Sequence, residues 1–192
     1  MDLIERVKGL LFAPQAEWEA IEKENTSVPD LYRRYIAILA ALPPFATFLG
    51  GWLFGYARGH HGVAHPTFVA GLTRAAAQYL LSLPALYLVA FVISSVAPQF
   101  DGKSDDRRAL ALVAYSYTPA WLASLFGLVP GLRWLDILGF YGLWLFHLGL
   151  TRMMRCPEDN EDVFTLIALF LVVAVAALHA WIVHVIAPAQ LI

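Results

Sequence analysis

The sequence predicts an all-α polytopic membrane protein, a five-helix transmembrane bundle with short cytosolic amphipathic helices at its N-terminus. Three observations predict it. Of 192 residues, 59% are hydrophobic and 15% charged, and mean hydropathy is +0.62, whereas a soluble domain carries about 25% charged residues. The charges are also segregated: 35–56, 75–97, 109–132 and 163–187 hold no Asp, Glu, Lys or Arg, and 134–151 holds only Asp136. Roughly 20 apolar residues span the hydrocarbon core as a helix, so these five stretches read as five spans. Finally, Lys and Arg are unevenly shared between the two sides that five spans define. Ten fall in the N-terminal segment and the 98–108 and 152–162 loops, against Arg58, Arg74 and Arg133 opposite. The positive-inside rule then places the N-terminus in the cytoplasm and the C-terminus outside.

Residues 1–34 form the cytosolic or interfacial part, and 35–192 the transmembrane domain. Leu3, Ile4, Val7, Leu10 and Leu11 share one side of a first helix, with Asp2, Glu5, Arg6 and Lys8 toward the other. This is the pattern of a helix lying in the headgroup region. Pro14 suits the first turn of a second helix, in which Trp18 and Ile21 share a face. Thr26, Ser27 and Pro29 then break the chain and cap the first span.

Pro43 and Pro44 in the first span, Pro84 in the second and Pro119 in the third each fall near mid-membrane. Proline lacks an N–H and clashes with the carbonyl four residues back, so it bends a helix and frees that carbonyl. In lipid the freed group needs another donor. The stretch "AYSYTP" supplies Tyr115, Ser116, Tyr117 and Thr118 beside Pro119, and Thr47 and Ser82 stand near the other bends. In one reading these hydroxyls, or a tyrosine from a neighbouring helix, repair the bends. In the other, three bent helices open a polar mid-membrane pocket for a substrate, a lipid headgroup or an ion, as transporters do. Gly51 with Gly55 and Gly127 with Gly131 form small-residue pairs suited to close helix contacts.

Asp136 and His147 are eleven residues apart, three turns and about 16 Å along an α-helix. Sharing a face, they are a possible ionisable pair within the fourth span. Asp136, near one end of that span, can also reach the interface. His60, His61 and His65 on the outer loop are weak metal candidates, with no carboxylate or thiol beside them. Ser104, Asp105 and Asp106 cap the third span. Cys156 is the only cysteine, so no intrachain disulfide forms. With no G-x-S-x-G, H-E-x-x-H or phosphate-binding loop, the chain is expected to be non-enzymatic and without a cofactor. A net charge of −2 gives no case for nucleic acid.

Several stretches, in order, resemble the Yip1 family in its bacterial form. They are "LLFAPQAEWEAIEKE", "DLYRRYIAILAALPPFATFLG", "VAPQFDG" with "ALVAYSYTPAWLASLFGLVPGL", and "ILGFYGLWLFHLGLTRMMRCPED". The resemblance implies five spans, a cytosolic N-terminus and residence in a bacterial inner membrane. It carries no catalytic residues; Tyr115, Ser116, Tyr117 and Pro119 occupy the family's Tyr/Pro-bearing third-span motif. The leading expectation is a protein that organises the bilayer or binds a protein partner through its cytosolic face. The alternative is a small transporter, channel or lipid-moving protein using the proline bends.

Overall fold

The computed structural model describes residues 2–57 and 63–187. Apart from a two-residue antiparallel ladder, β1 (Tyr56–Ala57) with β2 (Val63–Ala64), its regular elements are helical. Four segments are long and apolar enough to cross a membrane: Val28–Phe54, Phe68–Phe100, Asp106–Leu128 and Asp162–Ile186.

Asp2 caps α1 (Leu3–Phe12), and Pro14 opens α2 (Pro14–Lys23). The inward face of α1 is not the expected one. Arg6 is buried with Leu10, whereas Ile4 and Phe12 are exposed. Leu10, Trp18 and Ile21 join the same core as the spans, with α2 packed on α9 (Tyr141–Met154). The two helices are therefore docked into the bundle rather than resting beside it.

The first span begins at Val28, after its cap Ser27, with α3 (Val28–Leu31), seven residues before the expected start at 35. It continues through a π-helical turn, Tyr32–Ile36, and α4 (Ala37–Leu39) to α5 (Leu42–Phe54). Next, α6 (Phe68–Val96) runs unbroken through Pro84 into a 3-10 turn, Ala97–Phe100. Asp105 caps α7 (Asp106–Ser116), accepting from the Arg108 N–H at 3.0 Å. Beyond it lie α8 (Thr118–Ala123) and a 3-10 stretch, Ser124–Leu128.

The expected α-helix over 134–151 is replaced by a 3-10 helix, Pro130–Phe140, leading into α9. This limb runs antiparallel to the preceding one. A Cβ at Gly139 would lie 3.1 Å from Ala120 Cα, and one at Gly149 2.7 Å from Leu112 Cδ1. Gly142 abuts the Ser116 carbonyl, and Lys103 N–H donates to Met154 O at 2.7 Å. These glycines let the limbs close, as small residues do where no hydrophobic drive exists. The expected Gly127–Gly131 contact is absent: nothing lies within 4 Å of a Cβ at either. Gly50 instead meets the 127–128 backbone, its Cβ position 3.0 Å from Gly127 O. The last helix, α10 (Glu158–Ile186), starts five residues before the expected 163 and is the least buried of the four crossing segments.

Candidate functional site

At two of the proline sites the helix ends and restarts. A turn at Ala40–Ala41 precedes α5, which carries Pro43 and Pro44 in its first turn. Tyr117 separates α7 from α8, whose second residue is Pro119. In a first helical turn the missing N–H has no partner to lose. Pro84 differs, standing inside continuous α6.

The donors that serve these breaks are mainly tyrosines from neighbouring helices. Tyr79 Oη donates to Ala37 O at 3.0 Å, and Tyr32 Oη to Leu83 O, the carbonyl preceding Pro84, at 2.9 Å. Serines bond within their own helix, Ser82 to Tyr79 O and Ser124 to Trp121 O. Thr118 Oγ1 meets Tyr35 Oη at 2.6 Å. Ser116 Oγ, buried, has no hydrogen-bond partner. Tyrosines of neighbouring helices, the alternative donors expected, thus bond carbonyls beside the prolines of the first and second spans, and Ser116 serves no carbonyl at Pro119.

Space opens on both sides of the break at Tyr117. One cavity, of about 240 Å³, lies among the first span, α6, α8 and α10. Pro43, Pro44, Ser82, Tyr117, Ser124 and His179 line it. At Ala85, Val175 and His179 it meets a groove of about 610 Å³ between α6 and α10. Pro84 lines that groove with exposed Leu88, Phe91 and Leu178. His179 Nε2 stands 3.2 Å from Gln78 O. On the other side of Tyr117 and Ala120, a second cavity of about 270 Å³ is walled by Ser116, Asp136, Gly139, Phe140, Leu143 and Leu169, among others. Pro119 faces a third space, bounded by Leu11 and Phe12 of α1.

Tyr115 turns away from these cavities. Its ring packs edge-on to Tyr35, centroids 4.8 Å apart, and to Trp18 at 6.2 Å. The Arg6 guanidinium lies 5.3 Å from its centroid and pairs with Glu17 and Glu24. Burial opposes the Arg6 charge; the Tyr115 phenol and the two carboxylates outweigh it and raise the pKa above its ordinary value. Sequence reading missed this arrangement. Its one signal is that Glu17 and Glu24 are seven residues apart, two turns on one side of the chain.

Asp136 is the seventh residue of its 3-10 helix, about 12 Å from the turn at 2.0 Å per residue. It is exposed. A 3-10 step turns each residue by about 120° rather than 100°, which carries Asp136 off the face of His147. His147 Nδ1 instead contacts Thr165 Oγ1 of α10 at 3.3 Å. His65 Nδ1 contacts Trp52 O at 3.3 Å, and His60 and His61 lie outside the described residues. Among the described residues no group of three or more His, Cys, Asp or Glu could hold a metal ion.

A helical chain with four segments long and apolar enough to cross a membrane is an integral membrane protein. It belongs to the Yip1 family: the Yip1 domain matches residues 8–181. The chain is similar to Inner membrane protein YohC from two strains of Escherichia coli, 25% identical over 159 residues, covering 80% of this chain and 81% of that protein. No solved structure matches.

Proposed function

We propose that the chain is a non-enzymatic, five-crossing protein of the bacterial inner membrane that takes a lipid or small amphiphile from the bilayer at mid-depth. The N-terminus faces the cytoplasm in this reading, because ten of thirteen Lys and Arg lie on its side. The limb 130–154 is the fourth crossing. The inner-membrane assignment follows the name of the E. coli relative.

One observation carries the reading: the α6–α10 groove adjoins the cavity beside Pro43 and Pro44, sharing Ala85, Val175 and His179 with it. The groove is apolar except for Tyr87 and His179, so an acyl chain suits it. Ser82, Tyr117, Ser124 and His179 beyond it offer hydrogen bonds where the hydrocarbon core has none. In proteoliposomes holding a fluorescent phospholipid, transbilayer exchange should exceed that of protein-free liposomes. Ala85→Phe, at the junction, should slow it several-fold with helix content intact. An exchange rate equal to that of empty liposomes removes the lipid reading.

A second reading, docking of a protein partner at the cytosolic face, has its own support. With the inner faces of α1 and α2 taken up by the core, Lys23, Arg33 and Arg34 remain exposed. Lys23→Glu with Arg34→Glu should then abolish co-purification of that partner from a folded bundle. Unchanged co-purification removes it.

A further inference from the structure

The tip of the α1–α2 pair stands against a groove that neither reading above uses. Leu11 and Phe12 line it with Leu122, Phe126, Leu138 and Tyr141, and its volume is about 380 Å³. No charged side chain lines it. Its one lining hydroxyl is engaged, since Tyr141 Oη donates to Leu11 O at 3.2 Å. At its rim Phe12 is 83% exposed and Leu138 52%. A contiguous exposed apolar patch marks a surface that something other than water covers.

The two helices stand along the bundle, not across it. Arg107 donates to Asn25 Oδ1 just past the end of α2, Arg152 Nη2 donates to Glu19 Oε1 at 3.1 Å, and Leu11 O accepts from Tyr141 at the start of α9. Helix α2 therefore lies along α9 from its base toward its first residue, with α1 beside it. Arg6 pairs with Glu17 and Glu24 between the two, so its charge is turned inward. Depth follows from α10, which from Val163 on holds no Asp, Glu, Lys or Arg and exposes Val163, Leu166 and Phe170. Thr165, two residues into that stretch, contacts His147 of α9 at 3.3 Å. Tyr141 lies six residues further up α9. At about 1.5 Å per residue, Tyr141 and the tip bonded to it are about 12 Å inside that stretch, well into a core of roughly 30 Å. The exposed charges of the two helices, Glu5, Lys8, Glu19 and Lys23, all lie a turn or more below the tip. Lys8, the nearest, reaches the headgroups along its stem.

We propose that α1 and α2 form a re-entrant hairpin whose tip, residues 11–13, is inserted among the acyl chains of the leaflet on the N-terminal side. Acyl chains are the occupant because the groove continues the apolar face of a crossing segment, Asp106–Leu128, and offers a peptide no free hydrogen-bonding side chain. A helix lying flat in the headgroup region would hold Ile4 and Phe12 at one depth. An upright one sets them eight residues apart, about 12 Å. The hairpin's groove shares no lining residue with the α6–α10 groove and does not depend on lipid movement there.

The test uses the full chain carrying Cys156→Ser, a change that keeps a donor to Phe100 O, reconstituted in phosphatidylcholine vesicles. Single cysteines replace Ile4, Phe12 or Val173, all exposed, so each replacement spares the core. Each carries a bimane label, and quenching by lipid brominated in mid-chain is compared with quenching by aqueous iodide. Val173 is ten residues into the charge-free stretch of α10, about 15 Å, and calibrates contact with acyl chains. Brominated lipid should quench the Phe12→Cys label as strongly as the Val173→Cys label and the Ile4→Cys label several-fold less, with iodide reaching Ile4→Cys alone. Equal quenching at residues 4 and 12 means a flat helix and overturns the proposal. So does a label at residue 12 that follows iodide, or neither quencher. Val173→Cys separates the causes. Iodide quenching at residue 12 with lipid quenching at residue 173 rejects the hairpin alone, whereas iodide quenching at both rejects the crossing of α10 and the lipid reading with it.

Discussion

At the scale of single residues, Trp18 does most to join the N-terminal helices to the spans. It is fully buried, and a Cβ at Gly149 would lie 2.6 Å from its Cζ2. Gly149→Ala should therefore destabilise by about 2 kcal/mol through overpacking, and Trp18→Ala by about 3 kcal/mol through the void it leaves. The double variant should lose less than the sum, because the new methyl occupies part of the emptied slot. Thermal midpoints of the four proteins in one detergent check this, and strict additivity would refute the contact. Trp18 and Ile21 are legible in the sequence as one apolar face. The burial of Arg6 is not, since helix periodicity assigns a lone arginine to water. Partners brought to it in space, Glu17, Glu24 and the Tyr115 ring among them, make its burial tolerable.

At the scale of elements, the sequence marks the two places where a helix ends and restarts but not the form of the restart. Prolines mark where a helix cannot continue as before, yet whether it restarts or runs on depends on the packing around it. Pro119 and the Pro43–Pro44 pair stand in first turns, whereas Pro84 lies inside α6. The two kinds of site should respond differently to alanine. Pro119→Ala restores an N–H that a first turn leaves unbonded, so stability should change by less than about 0.5 kcal/mol. Pro84→Ala restores a donor opposite the Leu80 carbonyl and relieves a clash, and should stabilise by about 1–3 kcal/mol. Equal responses of the two thermal midpoints would contradict the distinction. The 3-10 course of 130–140 was hidden for a related reason. Its residues are apolar on nearly every side, so hydropathy cannot separate a period of 3.0 from one of 3.6. That change of pitch is what moves Asp136 off the face of His147 and leaves it exposed.

At the scale of the whole molecule, the decisive question is whether 130–154 crosses the bilayer. Its helix changes type at Phe140, and neither part alone is long enough to span. Rise per residue answers differently from helix length. Eleven 3-10 residues and fourteen α-helical ones advance about 22 and 21 Å, together more than the roughly 30 Å hydrocarbon core. The limb also follows its predecessor from turn to base, from Gly139 beside Ala120 to Met154 bonded to Lys103. Arg152 and Arg155 lie at its base and Arg133 near its tip, an asymmetry that agrees with a base in the cytoplasm. With Met154 bonded to Lys103, the limb ends on the side where the preceding one began, so five crossings put the two termini on opposite sides. Alkaline phosphatase fused after Ala187 should therefore be active and green fluorescent protein at that point dark, with the reverse for fusions at residue 103. A fluorescent fusion at both points would contradict the five-crossing order. The assignment of the bundle's sides would then have to be redrawn.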